Sequence, residues 1–219
     1  NSSTNSGSAI VYSDSSYGLI ERNIISNSGS NGISINMGDQ TTVINNTVYG
    51  CSNSGISWYA GSGVTAINNS VSNGGYGITI NSGSSNDVIA YNNSWNNNYY
   101  NYEGLPAGGG NLTNINANGN VCDVFYNISE NPQYAYPDTG NFNLQQGSPN
   151  IDAGDPSSPL DPDTSVTDIG AIPSPYGTTI ESLALIAILS DSVNFGTVLL
   201  GDSLPVSLLI NNTGNVDLN

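Results

Sequence analysis

Hydrophobic and polar residues in the first hundred positions of this chain form two short phrases that alternate. The first phrase is a strict alternation, seen in Ala9-Ile10-Val11-Tyr12, Gly32-Ile33-Ser34-Ile35, Gly55-Ile56-Ser57-Trp58 and Gly77-Ile78-Thr79-Ile80. A period of two places Ile33 and Ile35 on one face of a strand and Ser34 on the other. The second phrase is Leu19-Ile20-Glu21-Arg22-Asn23-Ile24-Ile25, Thr42-Val43-Ile44-Asn45-Asn46-Thr47-Val48, Thr65-Ala66-Ile67-Asn68-Asn69-Ser70-Val71 and Ile89-Ala90-Tyr91-Asn92-Asn93-Ser94-Trp95. Gly, Ser, Asn and Asp clusters such as Asn36-Met37-Gly38-Asp39 separate the phrases and read as turns. The shared asparagines Asn23, Asn46, Asn69 and Asn93 are spaced by 23, 23 and 24 residues. A fixed period with strand composition and no helical pattern predicts a solenoid, one repeat to each turn.

In a parallel stack, equivalent residues sit above one another at roughly 4.8 Å. The alignment predicts apolar columns from Ile10, Ile33, Ile56 and Ile78, and from Tyr12, Ile35, Trp58 and Ile80. Two more come from Ile20, Val43, Ala66 and Ala90, and from Ile25, Val48, Val71 and Trp95. It also predicts an asparagine ladder through Asn23, Asn46, Asn69 and Asn93, because stacked carboxamides donate and accept along the stack.

The "Gly-Ile-x-Ile" and "Val-Ile-Asn-Asn-Thr-Val" halves, over about residues 7–102, resemble the right-handed parallel β-helix repeat proteins of the pectate-lyase-like superfamily. The resemblance implies an all-β, right-handed parallel β-helix with coils of about 23 residues, on a secreted or cell-surface protein of bacterial or archaeal type. It constrains function weakly, since that superfamily holds lyases, hydrolases, adhesins and surface proteins. From residue 103 the period is lost. The stretches Pro137-Asp138-Thr139-Gly140-Asn141-Phe142-Asn143-Leu144 and Gly147-Ser148-Pro149-Asn150-Ile151-Asp152-Ala153-Gly154, with Asp168-Ile169-Gly170-Ala171, resemble the segment that closes such solenoids. A solenoid needs a cap, because its last coil exposes strand edges and an open apolar core. The expected organisation is therefore coils over 1–102, a last irregular coil and C-terminal cap over 103–173, and a linker with an incomplete immunoglobulin-like β-sandwich segment over 174–219. That last part rests on Val193-Asn194-Phe195-Gly196-Thr197-Val198 and Leu208-Leu209-Ile210-Asn211-Asn212-Thr213. The chain starts with Asn and stops inside an apparent strand, so it is read as a piece of a longer protein.

Composition narrows the partners. Among 219 residues Arg22 is the single cation against seventeen acids, there is no His, and the net charge is −16. Such a chain repels phosphate backbones and anionic lipid, so nucleic acid is not an expected partner. The longest apolar run, Leu183 to Leu189, is too short to span a bilayer, and a monomer without membrane insertion is expected. Cys51 and Cys122 are 71 residues apart. At three turns that is roughly 14 Å along the stack, beyond the Cα separation of about 7 Å that a disulfide tolerates. Two unpaired, buried thiols are expected. N-x-S/T sequons start at Asn1, Asn45, Asn68, Asn92, Asn111, Asn127 and Asn211, though a chain so rich in Asn and Ser produces many by chance.

Candidate chemistry is sparse. A lone Arg22 beside Glu21 reads more readily as a surface ion pair than as a lyase group, since uronate lysis needs both a base and charge neutralisation. Glycoside hydrolysis needs two acids about 5–9.5 Å apart, and Asp14, Asp39 and Asp87 fall into no common column. No catalytic residue is assigned. The acidic loop with Asp161, Asp163 and Asp168 is the metal candidate, with Ca²⁺ as the cation that oxygen-rich loops take. Its alternative is turn chemistry, because Asp before Pro, with Ser and Thr, builds Asx turns. Among the aromatics of residues 91–102, Trp95, Tyr100 and Tyr102 read as the widened end of the core. Tyr91 and Tyr99 read as outward rings able to stack on sugars. The expected function is a non-catalytic extracellular module, spacer or glycan-binding, with a polysaccharide as its partner. The alternatives are the C-terminal part of a lyase or glycoside hydrolase and an adhesin repeat.

Overall fold

The structure, a computed structural model, describes residues 7–14 and 16–177 and the short strands Ile186–Ala187 and Asn211–Asn212. The chain divides into two units, Asn1–Thr179 and Ile180–Asn219. In the second, Ile186–Ala187 pairs antiparallel with Asn211–Asn212. The strands expected at 193–198 and 208–213 otherwise lie outside the described residues.

The first unit is an all-β parallel solenoid, with no α-helix among the described residues. Each turn contributes three strands. The first strands are β1 (Ile10–Ser13), β4 (Ile33–Asn36), β7 (Ser54–Ser62), β10 (Tyr76–Ser85) and β13 (Tyr102–Glu103). The second strands are β2 (Leu19–Glu21), β5 (Thr42–Ile44), β8 (Thr65–Ile67) and β11 (Val88–Ala90). The third strands are β3 (Ile24–Ser26), β6 (Thr47–Tyr49), β9 (Ser70–Ser72) and β12 (Asn93–Trp95). Each set forms its own parallel sheet running the length of about four turns.

Both columns expected on the first sheet are present: Ile10, Ile33, Ile56 and Ile78 pair in register, as do Tyr12, Ile35, Trp58 and Ile80. The fourth coil differs by one residue from the sequence alignment. Val88 pairs with Thr65, and Asn93 with Ser70, so the period of the second and third sheets stays at 23 throughout. The column from Ile20, Val43 and Ala66 therefore ends in Ile89 rather than Ala90, and Ser94 rather than Trp95 follows Val71. Burial is the physical reason: this register sends Ile89 into the core and leaves the bulky Trp95 half-exposed. At the end of the stack Tyr102, not Tyr100, pairs with Ile78, and Tyr100 is exposed.

The same shift relocates the ladder, which runs through Asn23, Asn46, Asn69, Asn92 and Asn127 instead of ending at Asn93. Each Oδ1 accepts both the backbone N–H and the Nδ2–H of the ladder asparagine one coil earlier, at 2.9–3.0 Å. From Asn46 onward each Nδ2 also donates to a carbonyl of the preceding coil: those of Ile20, Val43, Ala66 and Ile89. The buried carboxylate of Asp123 ends the series, accepting from the N–H groups of Gly110, Phe125 and Asn127 and from Asn127 Nδ2. It supplies the acceptors that a sixth coil's asparagine would have supplied.

Left-handed backbone repeats with the same period. Just before the ladder, Arg22, Asn45, Asn68 and Tyr91 have φ of 52°, 51°, 57° and 54°, and after the third strands Asn27, Gly50, Asn73 and Asn96 also have positive φ. Only Gly and, to a lesser degree, Asn and Asp occupy this region readily. Part of the chain's Asn and Gly content is thus the chemistry of its corners.

Residues 103–173 do two things. They close the end, with Leu105 packed on the solenoid core and Ile128 bridged to Asn93 and Cys122. The antiparallel pair β14 (Asn114–Ile115) and β15 (Val121–Cys122) belongs to this part. The chain then doubles back along the third sheet, through the antiparallel pair β16 (Tyr134–Tyr136) and β17 (Asn141–Leu144). Tyr49 packs against Tyr134 and Phe142. Tyr134 Oη lies 2.6 Å from Ser70 Oγ, and the Ala171 N–H donates to Thr47 Oγ1 at 2.9 Å. This is why Thr47 and Ser70, on the outer side of their strands, are buried. Cys51 and Cys122 are both free and buried, and burial pushes the Cys51 thiol up to about 11.

Candidate functional site

The outer face of the first sheet carries a depression. Its floor is small and polar, since Ser57 and Thr79 point away from the core on the strands that send Ile56 and Ile78 into it. The residues around them make a polar trough of about 350 Å³, lined by Asn31, Asn53, Ser54, Tyr76, Asn81 and Glu103 as well. Side chains within it are already held: Thr79 Oγ1 donates to Ser54 Oγ at 3.2 Å, and Asn31 Oδ1 accepts the Ser54 N–H at 3.1 Å.

Tyr99 stands beside this trough. After β12 the chain is fastened to the coil before it, as the N–H groups of Asn98 and Tyr99 donate to the carbonyls of Gly74 and Gly75, both at 2.9 Å. A side chain at Gly75 would meet the Ser52 and Asn53 carbonyls at 2.9 Å, so glycine lets this stretch lie close against the coil that precedes it. The outcome is that Tyr99, 66 % exposed, stacks on Tyr76 with ring centroids 4.7 Å apart and planes at 26°. Tyr100 flanks the same ring at 6.3 Å.

Tyr91 lies elsewhere. It occupies the left-handed corner ahead of Asn92 and stacks at 5.0 Å on Tyr126, the left-handed residue ahead of Asn127. The pair borders a cleft of about 220 Å³ whose other walls include Asn118, Asp152, Pro156 and Val166. Burial first, then the Asp155 carboxylate, raise the Tyr91 hydroxyl above its ordinary range. The two tyrosines singled out from sequence therefore belong to two separate aromatic pairs.

The acidic loop uses its carboxylates internally. Asp161 Oδ2 accepts the Asp168 N–H at 2.7 Å, and Asp163 Oδ1 accepts the N–H and Oγ–H of Ser165. Asp168 accepts the Asp152 N–H at 2.8 Å and the Ser174 N–H at 2.6 Å, one on each oxygen. Burial raises Asp161 and pushes Asp168 up to about 7, whereas the Ser165 hydroxyl holds Asp163 below the usual carboxylate range. Among the described residues no group of three or more His, Cys, Asp or Glu side chains converges as a metal would require.

A model of the family described as "Right handed beta helix region" matches residues 1–135. The chain belongs to that family. No curated protein and no solved structure matches it. In this β-helix Arg22 pairs with Glu21 at 3.7 Å, both side chains more than a third exposed, an ion pair worth little in water. Asp39 and Asp87 serve neighbouring coils: Asp39 Oδ1 accepts the Ser62 N–H at 2.8 Å, and Asp87 accepts from Val64 N–H and Trp58 Nε1. Sequence reasoning missed Tyr76, Glu103, Asp123 and Tyr126. A signal for the last existed, because Tyr126-Asn127 repeats the Tyr91-Asn92 pairing of a corner residue with a ladder asparagine.

Proposed function

We propose that this chain is a non-catalytic glycan-binding module of the pectate-lyase-like type, on a secreted or cell-surface protein, and that it holds a neutral polysaccharide in the trough over the first sheet. The observation that carries this reading is the pairing of a hydroxyl- and amide-lined trough with the Tyr76–Tyr99 stack at its edge. Aromatic faces cover the apolar faces of sugar rings, and adjacent amides and hydroxyls exchange hydrogen bonds with sugar hydroxyls. Binding is favoured over cleavage because the acid in the trough lining is Glu103, whereas hydrolysis uses two carboxylates about 5–9.5 Å apart. A net charge of −16 favours neutral over uronate-rich chains.

The test is a glycan array followed by titration of the retained polysaccharide. Tyr99→Ala is expected to weaken binding about tenfold or more, equivalent to about 1.4 kcal/mol, while its melting temperature stays at the parent value. Tyr91→Ala should leave affinity for this trough unchanged. Release of reducing ends or unsaturated sugars by the parent protein would replace the binding reading with a catalytic one.

A further inference from the structure

The sequons that dot this chain are not equivalent once folded. Five of them lie wholly within the described residues, starting at Asn45, Asn68, Asn92, Asn111 and Asn127. Four of those asparagines are structural. Asn45, 4 % exposed, donates from Nδ2 to the carbonyls of Asp168 and Gly170. Asn68, with no exposed surface, donates to Ser158 Oγ and accepts the Asp155 N–H. Asn92 and Asn127 are equally buried rungs of the ladder, each with Nδ2 donating to a carbonyl of the coil before. In all four the nitrogen that would carry a sugar faces protein.

Asn111 is different. It is exposed, and it lies between the glycines at 108–110 and β14, in the segment that closes the solenoid. Gly108 and Gly110 have φ of 92° and 75°, so the chain turns sharply here, while the Gly110 N–H holds the base of the turn on Asp123 at 2.7 Å. Thr113 is exposed too, and its hydroxyl donates to the Asn111 backbone carbonyl at 3.4 Å, which holds the Thr113 side chain against the backbone of the acceptor residue.

We infer that Asn111 is an acceptor for an N-linked oligosaccharide, and that among the described sequons the folded protein offers this one alone. In the transfer, a bond forms from Asn111 Nδ2 to the anomeric carbon. The anomeric C–O bond to a lipid diphosphate breaks, the diphosphate leaves with the electron pair, and one Nδ2 proton is lost to it. Modification before folding would place sugars on rungs of the ladder, so the acceptor pattern also requires that glycan addition follow folding.

Folded protein would be incubated with an oligosaccharyltransferase and a lipid-linked oligosaccharide, and its intact mass measured. A synthetic peptide spanning residues 105–118 serves as a competence control. Among the five sequons at Asn45, Asn68, Asn92, Asn111 and Asn127, a glycan is expected at one, mapped by proteolysis to the peptide containing Asn111 and absent from Asn111→Gln, whose melting temperature should equal the parent's. A folded protein left unmodified at Asn111, a peptide control that is not glycosylated, or sugar on Asn45, Asn68, Asn92 or Asn127 of the folded protein would each overturn the assignment.

Discussion

Replacing Asn69 with alanine tests the ladder at its centre. The Asn69 carboxamide makes five hydrogen bonds: Oδ1 accepts the Asn46 N–H and Nδ2–H, and Nδ2 donates to the Val43 carbonyl, the Ile67 carbonyl and Asn92 Oδ1. Several partners keep a second bond. The Ile67 carbonyl still accepts the Asn45 N–H, Asn92 Oδ1 still accepts the Asn69 N–H, and Asn46 Nδ2 still donates to the carbonyls of Ile20 and Ile44. The buried Asn46 N–H loses its side-chain acceptor. An orphaned buried donor costs about 1–3 kcal/mol and each further buried bond about 1 kcal/mol net, so the variant should lose about 3–5 kcal/mol. That is a large share of the roughly 5–15 kcal/mol that holds a domain folded. Asn23→Ala is the internal control. Asn23 sits at the first rung, partly exposed, and donates from Nδ2 to Glu21 and Asn46 without orphaning a buried group, so about 1 kcal/mol is expected. Urea unfolding followed by far-UV circular dichroism would compare the two at constant m-value. Equal losses in the two variants would refute the idea that the ladder is a cooperative, buried network rather than surface decoration.

Three further outcomes are expected. Asp123→Asn replaces one accepting oxygen by an NH2 that faces N–H donors, and should lower stability by about 2–4 kcal/mol in the same assay. Because burial raises Asp168 to about 7 against the two backbone N–H groups it accepts, the folded state holds its proton more tightly than the unfolded chain does. Stability should be highest below pH 4 on this account and fall as pH rises through 7, by about 4 kcal/mol at most, with the slope lost in Asp168→Asn when melting is followed against pH. Melting in Ca²⁺ and in chelator should coincide, since a cation bound only by the folded state would raise its stability, and a clear upward shift with Ca²⁺ would establish the acidic loop as a metal site.

The period, the strand phrases and the apolar columns of the first sheet were legible because alternation and spacing are one-dimensional signals. The fourth coil was not, and its failure has a specific cause. Aligning the Asn-Asn-Ser text of residues 92–94 with that of 68–70 shifts the coil by one, because the corner that Asn45 and Asn68 occupy is filled in this turn by Tyr91. A tyrosine with φ of 54° has no propensity signature, and only the need to bury Ile89 rather than Ala90 restores the register. The side on which the returning segment lies was equally hidden. Buried Thr47 and Ser70 look like ordinary outward polar residues until the contacts from Ala171 and Tyr134, more than sixty positions away, are seen.

For the candidate site, the difficulty is that one residue type does several unlike jobs. Asparagine is a ladder rung at Asn46, a left-handed corner at Asn68, a wall of the open trough at Asn81 and an exposed sequon at Asn111. Spacing separates the first two from the others, since rungs and corners recur at 23 residues and a binding wall need not. Aromatics follow the same logic. Tyr99 was legible as an outward ring because it breaks the core pattern, whereas its partner Tyr76 was not, since the residue that decides its orientation is brought in by the loop stitched onto Gly74 and Gly75. In a solenoid, what repeats is architecture, so the residues to examine for function are those that leave the period: Tyr91 and Tyr126 among the corners, Glu103 at the end of the first sheet, and Tyr99 on the loop.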